Sequence, residues 1–272
     1  MTTNLKSTGS VVAVFVLLFA VWIAGAYWSH PGYQTHPDGT LSLDDDGLPK
    51  LAGPILFPSP AAVLQDLYRL LVRQSFLKDI GISLMRIGAG LLSSVVPAFI
   101  LGIWLGINAF SRSAITPLFA FIQYIPPVAF VPVLILWFGI GLPQQVALLF
   151  IGTFFYLTLM IADTVANIPS AYRDAALTLG AKPHLLIWRV ILPFGLPEFI
   201  QHLRVIVGIA WTYLTVVEMV SAETGIGSVI INSQRYLQTG RAMAGLFTIG
   251  VLGVLCDLAL RGTSRLLCRW KY

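Results

Sequence analysis

Long apolar runs separated by short polar segments dominate this chain. An α-helix needs about 20 mostly apolar residues to cross the hydrocarbon of a bilayer. Six stretches fit that requirement: residues 11–28, 81–109, 114–140, 145–165, 197–220 and 243–260. The first, at the lower limit of length for a span, is too long for the core of a signal peptide, so it reads as an uncleaved span. The third is interrupted by Pro126, Pro127 and Pro132. Proline removes a backbone donor and kinks a helix, and lipid tolerates this only where protein or a water-lined cavity satisfies the freed carbonyls. That segment is therefore expected to face the protein interior. Residues 60–78 carry a different pattern. Leu64, Leu67, Leu70 and Leu71 recur at helical spacing, with Gln65, Asp66, Arg69 and Arg73 off the stripe. This predicts an amphipathic helix lying at the outer interface.

Composition agrees with the pattern. Hydrophobic residues make up 57% of the 272 and charged residues 11%, against about 25% charged in a soluble domain. The mean hydropathy is +0.82. The net charge of +5 is carried by segments between the apolar runs and by the C-terminal end, as the positive-inside rule would arrange it, rather than on an aromatic–basic stripe suited to nucleic acid. With the N-terminus placed in the cytoplasm, nine Lys and Arg fall in inner segments and six in outer ones. Both termini are thus predicted inside. The chain divides into a first segment and span (1–28), an outer acidic loop with the amphipathic helix (29–80), a span core (81–260) and a basic tail (261–272). The run Asp44, Asp45, Asp46 reads as a solvated acidic turn, because it lacks the rest of a calcium-loop pattern. Cys256 and Cys268 have no metal-ligand spacing, and no disulfide and no metal site are predicted.

The most informative segment lies between the fourth and fifth spans, residues 168–193. Ser170 follows Pro169 as a candidate N-cap. Ala175, Ala176 and Leu179 give a slim apolar ridge, Gly180 supplies a left-handed C-cap, Pro183 opens a second helix and Pro193 closes it. The expected product is a helix–turn–helix on the cytoplasmic face, shaped for a groove on another protein. Asp174-Ala175-Ala176, then Gly180, then Val190, Leu192 and Pro193 keep every spacing of the EAA loop of type I ABC importer permeases. The chain resembles that family, with Asp in place of the usual Glu. Pro126–Pro132 leading into Trp137-Phe138-Gly139, and Leu203-Arg204 followed by Gly208, Trp211, Glu218 and Gly225-Ile226-Gly227, resemble its nitrate/sulfonate/taurine branch. The similarity covers roughly residues 55–260; the acidic loop at 33–52 has no counterpart in it.

The resemblance implies an all-α membrane protein of six transmembrane helices with a cytoplasmic EAA-type coupling hairpin. It implies a permease subunit of the bacterial inner membrane that forms the pathway for a small solute, an anion such as nitrate, sulfonate, taurine or a related organic acid. It implies as partners a second permease copy in a homodimer, two ATP-binding subunits that hold ATP and Mg, and an external substrate-binding protein. Arg173, Asp174, Ala175, Ala176, Leu179, Gly180, Ala181 and Pro193 would then contact the ATPase. The chain itself has no phosphate-binding Gly-x-x-x-x-Gly-Lys-Ser/Thr loop, no His-Glu-x-x-His and no Gly-x-Ser-x-Gly. It is therefore expected to bind no cofactor and to catalyse nothing. A self-sufficient transporter or channel would need inverted repeats or an acidic ion pathway at the midplane, and neither is visible.

Arg86, Arg204, Glu218 and Asp257 fall in or near the spans. A charge at the bilayer centre costs about 2.5–3.5 kcal/mol on insertion scales. Either some of them line the pathway, together with Pro127, Trp137 and Trp211, or they snorkel to the nearer interface.

Overall fold

The computed structural model describes residues 16–26, 58–73, 75–221 and 223–268. The acidic loop at 33–52, the start of the first span and the last residues of the basic tail lie outside the described residues. The secondary structure of the described residues is helical throughout. In chain order the helices are α1 (described over Val16–Ala26), α2 (Pro60–Arg73), α3 (Phe76–Ile107), α4 (Ala109–Gln123), α5 (Val131–Phe138), α6 (Leu142–Ala166), α7 (Ser170–Thr178), α8 (Pro183–Leu186), α9 (Leu192–Ser221), α10 (Ile226–Arg235) and α11 (Thr239–Leu267).

Among the described residues four helices are long and apolar enough to cross a membrane: α3, α6, the continuous helix Pro183–Ser221, and α11. Helix α4 and the segment Pro127–Phe138 reach that length and apolarity only together, bent by 76° at the break, the shape of a broken span or a re-entrant loop. The break falls where the prolines of the third apolar run predicted it, and a short 3₁₀ turn at Pro127–Phe130 carries the chain around the corner. Of the six expected spans, the described residues thus hold four, or five with the bent pair taken as one, and α1 holds the described part of the first.

The described residues fall into two compact units. The first contains α1, α2 and the segment Val229–Phe247. Here the Trp22 indole N–H donates to the Pro58 carbonyl at 3.2 Å, and its ring stacks on Phe247 with centroids 5.4 Å apart. The amphipathic helix is present, but its inward stripe is Val63 and Leu70, both buried, with Leu67 half-buried between them. Leu64 and Leu71 stay exposed beside Tyr68 and Val72. Asp66, expected on the wet face, is half-buried against Gly240, and this burial pushes its carboxyl above the usual carboxylate range although Arg69 and Arg241 pull it down. The helix ends at Arg73, not 78, because Ser75 takes a left-handed turn with φ 53° before α3 begins.

The second unit contains Lys78–Ser228 and the rest of α11. Its core is built by α3, α6 and α9 around Ala98, Leu157, Ile161, Val165, Ile191, Phe199 and Ile206. A ladder of small residues on α3 lets α6 approach. A Cβ on Gly90 would strike Leu149; one on Gly102 would lie 2.8 Å from Ile161; one on Gly106 would lie 2.5 Å from Val165. Between these rungs the Thr153 and Ser94 hydroxyls are hydrogen-bonded at 2.8 Å. Each contact joins residue i of α3 to residue i+59 of α6, so the two helices run parallel, and rungs recur every four residues as helical neighbours must. In lipid such close packing of small residues, rather than a hydrophobic drive, holds spans together. The outward residues Leu92, Val96 and Ile100 of α3 and Val251, Val254, Leu255 and Leu258 of α11 are all exposed and apolar, as surfaces that meet lipid must be.

Candidate functional site

The segment 168–193 folds as the expected hairpin, with two local corrections. The helix α7 begins at Ser170 itself, and Pro169 is the boundary residue: its carbonyl accepts from the Tyr172 N–H at 3.2 Å, and the Ser170 hydroxyl makes no cap. At the other end the turn is as read. The Gly180 N–H donates to Leu177 at 2.9 Å and the Ala181 N–H to Ala176 at 3.0 Å, with Gly180 at φ 80°. This pair of bonds is a Schellman closure, which requires a left-handed residue at that position. Pro183 opens α8 as expected. Pro193, however, does not end a helix. The chain stays helical from α8 through a π turn at Ile187–Ile191 into α9. Proline lacks an N–H and its ring crowds the carbonyl four residues back; widening the preceding turn relieves both conflicts without stopping the helix.

The hairpin is tied to the spans at both ends. Arg173 Nη2 donates to the carbonyls of Ala166 and Ile168 at 3.2 and 3.0 Å, clamping α7 to the end of α6. Through the π turn, α8 is continuous with α9. The Tyr172 and Phe194 rings lie 5.3 Å apart beside a cavity of about 410 Å³ that Arg189, Val190 and Pro193 also line. Outward, α7 buries none of its own residues. Asp174 and Ala175 are exposed, Ala176 is half-buried, and Leu179 is 89% exposed at the tip. Ala175, Leu177 and Leu179 thus leave apolar surface open on the outer side of the hairpin.

The second cluster was not visible as a unit in the sequence. Arg86 and Glu218, 132 residues apart, form a buried ion pair at 2.8 Å. The Glu218 carboxylate also accepts from the Ser83 hydroxyl at 2.7 Å and from the Gly227 N–H at 2.9 Å. Ser83 in turn accepts from the Ile226 N–H at 3.0 Å. Arg86 donates to the Thr224 carbonyl at 2.7 Å and to its hydroxyl at 3.0 Å, while Asp79 accepts from the Gly225 N–H at 2.9 Å. The carboxylate therefore sits at the amino end of α10, where unpaired amides and the helix dipole both favour negative charge. Gly225, at φ 104°, leaves room for it: a Cβ there would lie 2.7 Å from Arg86 Nη1.

The candidate pathway residues do not converge. Pro127 and Trp211 are buried, and Glu218 is 1% exposed within the ion pair, so these three line no open surface of the chain. Trp137 is exposed on α5. Arg204 is half-exposed, and its Nε donates to Asp257 at 2.5 Å, a carboxylate that Arg261 also engages at 2.7 Å. Neither reading of these charges includes the pairing found across helices, Arg86 with Glu218 and Arg204 with Asp257.

A family model described as "Binding-protein-dependent transport system inner membrane component" matches residues 98–268. Among curated proteins, the taurine transport system permease protein TauC of Escherichia coli (strain K12) is 29% identical over 226 residues, covering 81% of this chain and 82% of that protein. The putative aliphatic sulfonates transport permease protein SsuC of Bacillus subtilis (strain 168) is 27% identical over 216 residues, covering 79% of this chain and 78% of that one. Among solved structures, an inward-facing form of the MetNI methionine ABC transporter matches with a TM-score of 0.57 at 17% identity, covering 76% of this chain and 97% of that chain. The last likeness speaks to the fold alone.

Proposed function

Because the chain belongs to the family of binding-protein-dependent transport system inner membrane components, and is thus a non-catalytic, multi-pass permease subunit of an ABC importer, we propose that its hairpin 168–193 is the element that couples it to a separate ATPase. The observation that carries this reading is the uncovered ridge of α7, held rigidly by Arg173 and by the Gly180 turn. Arg173, Asp174, Ala175, Ala176, Leu179, Gly180 and Ala181 form the docking end, and Pro193 the joint to α9. A displacement of the ridge by the ATPase moves α6 through the Arg173 clamp and α9 through the π turn. Those two helices pack along each other in the core, so they move as a pair and change which side of the membrane the pathway opens to. In this scheme two copies of the chain meet two ATPase subunits, which bind ATP and Mg, and an external binding protein delivers the solute. The names of the taurine and sulfonate relatives support a small organic anion as that solute.

Ala175→Glu tests the coupling role. It adds bulk and an unpaired charge to the ridge, and such a charge in a packed interface is costly. The expected result is a membrane-inserted permease that no longer co-purifies with its ATPase. Normal substrate-stimulated ATP hydrolysis in the purified variant complex would exclude this role for α7.

The same scheme requires both termini and the hairpin on the cytoplasmic side. In a background with Cys256 and Cys268 replaced by Ser, a cysteine placed within residues 33–52 should react with an impermeant maleimide in intact cells. A cysteine added after Tyr272 should react only once the cells are opened, and the reverse labelling pattern would overturn the orientation.

A further inference from the structure

A second cavity, of about 590 Å³, lies beside the hairpin where α3 and α6 end and α4 begins, and the function above leaves it unused. Arg112, Ser113, Thr116 and Arg173 line it, against a floor of small residues that includes Gly106 and Ala166. Its polar groups are incompletely paired. Arg173 spends Nη2 on two carbonyls, but its Nε is buried without a hydrogen-bond partner among the described residues. The Thr116 hydroxyl is likewise buried and unpartnered. Thr153, Thr158, Thr215 and Thr263 return their hydroxyls to the carbonyl four residues back, and Thr164 bonds His202; Thr116 does neither. Arg112 engages Asp163 through Nη2, one of its five N–H donors. Two guanidiniums against one carboxylate leave the site with a net positive charge, and a buried polar group without a partner is costly enough to point to a missing one.

We propose that this cavity binds a phosphate-type oxyanion, with the Arg112 and Arg173 guanidiniums and the Thr116 hydroxyl as donors. Tetrahedral oxyanions offer several acceptor oxygens, and Arg presents a fork of N–H groups that matches them. The site lies at the ends of the spans, where basic recesses between helices meet lipid headgroups, so the oxyanion is either a phospholipid phosphodiester or a free ion. Its existence does not rest on the coupling role of α7. If α7 does couple, the bound oxyanion bridges α4 to the residue that clamps α7, and occupancy sets how firmly the hairpin is held.

The full chain with its ATPase in nanodiscs supplies the test. One arm uses phosphatidylcholine alone and titrates inorganic phosphate by calorimetry. The other adds phosphatidylglycerol, omits phosphate, and counts retained lipid by native mass spectrometry. Saturable phosphate binding in the first arm identifies a free-ion site, and selective retention of phosphatidylglycerol in the second identifies a lipid site. In whichever arm binds, R112Q is expected to weaken binding about tenfold or more and the near-isosteric T116V about threefold. Because T116V removes only a hydroxyl, it keeps the test informative if R112Q fails to fold. Absence of binding in both arms, or binding that T116V leaves unchanged, overturns the proposal.

Discussion

Glu218→Ala is expected to destabilise the permease by about 3–5 kcal/mol, the range for breaking a buried ion pair by removing one partner. Glu218 is 1% exposed, so the interactions lost are buried ones. The variant strands the Arg86 guanidinium and also releases the Ser83 hydroxyl and the Gly227 N–H, which the carboxylate accepts at 2.7 and 2.9 Å. The measurement is the temperature at which half of the detergent-purified chain aggregates, taken for Glu218→Ala, Arg86→Met and the double variant. Were the pair only an ion pair, the double variant would recover most of the loss, because replacing both charges by apolar groups is often nearly neutral. Here the carboxylate also caps α10, and Arg86 also holds the Thr224 carbonyl at 2.7 Å. The double variant is therefore expected to stay well below the wild type. Recovery to the wild-type temperature would mean that the capping bonds contribute nothing measurable.

The two functional regions differ in how far the sequence disclosed them, and the reason is distance along the chain. The hairpin was legible because every determinant is local: a glycine where the helix must turn left-handed, a proline where a first-turn N–H has no partner, and small residues on one face. Gly180 at φ 80° bears out that reading. The errors there were local competitions too. Ser170 lost the boundary to Pro169, and Pro193 was absorbed by a π turn instead of ending the helix. By contrast, Ser83, Arg86, Glu218 and the glycines at 225 and 227 meet only because α3 and α9 pack, and nothing in apolar periodicity specifies which charges lie at the same depth. The pairing of Arg204 with Asp257 escaped for the same reason. The ladder on α3 needs both helices: Gly90, Ser94, Ala98, Gly102 and Gly106 form it only once the facing residues of α6 are known. The spans themselves were the most secure feature, since bilayer thickness sets a length that few other constraints imitate. Their ends shifted by a few residues because helices continue past the hydrocarbon, as α11 does to Leu267.

Gly180→Val is expected to give a permease that inserts and folds but no longer couples ATP hydrolysis to transport. At φ 80° a non-glycine residue costs roughly 1–2 kcal/mol, and a β-branched one costs more because its side chain crowds the following carbonyl. The space around the site is not the obstacle, since a Cβ on Gly180 would meet nothing within 4 Å; the penalty is in the backbone alone. Two hydrogen bonds depend on that backbone, from Gly180 to Leu177 and from Ala181 to Ala176, and they fix the angle between α7 and α8. Relaxing the turn to negative φ breaks both and swings the exposed tip at Leu179 out of register with the docking groove proposed for it on the ATPase. The spans should be untouched, because α7 buries none of its residues. Gly180→Asn supplies the graded control: asparagine tolerates the left-handed region better than other side chains, so it should retain a substantial part of the wild-type coupling. The readouts are yield of the inserted chain, ATPase retained on purification, and substrate-stimulated ATP hydrolysis in proteoliposomes. The expected order is wild type, then Asn, then Val, at equal insertion. If Val couples as well as glycine, the conformation of this turn does not transmit the power stroke, and the coupling element must be sought elsewhere on the chain.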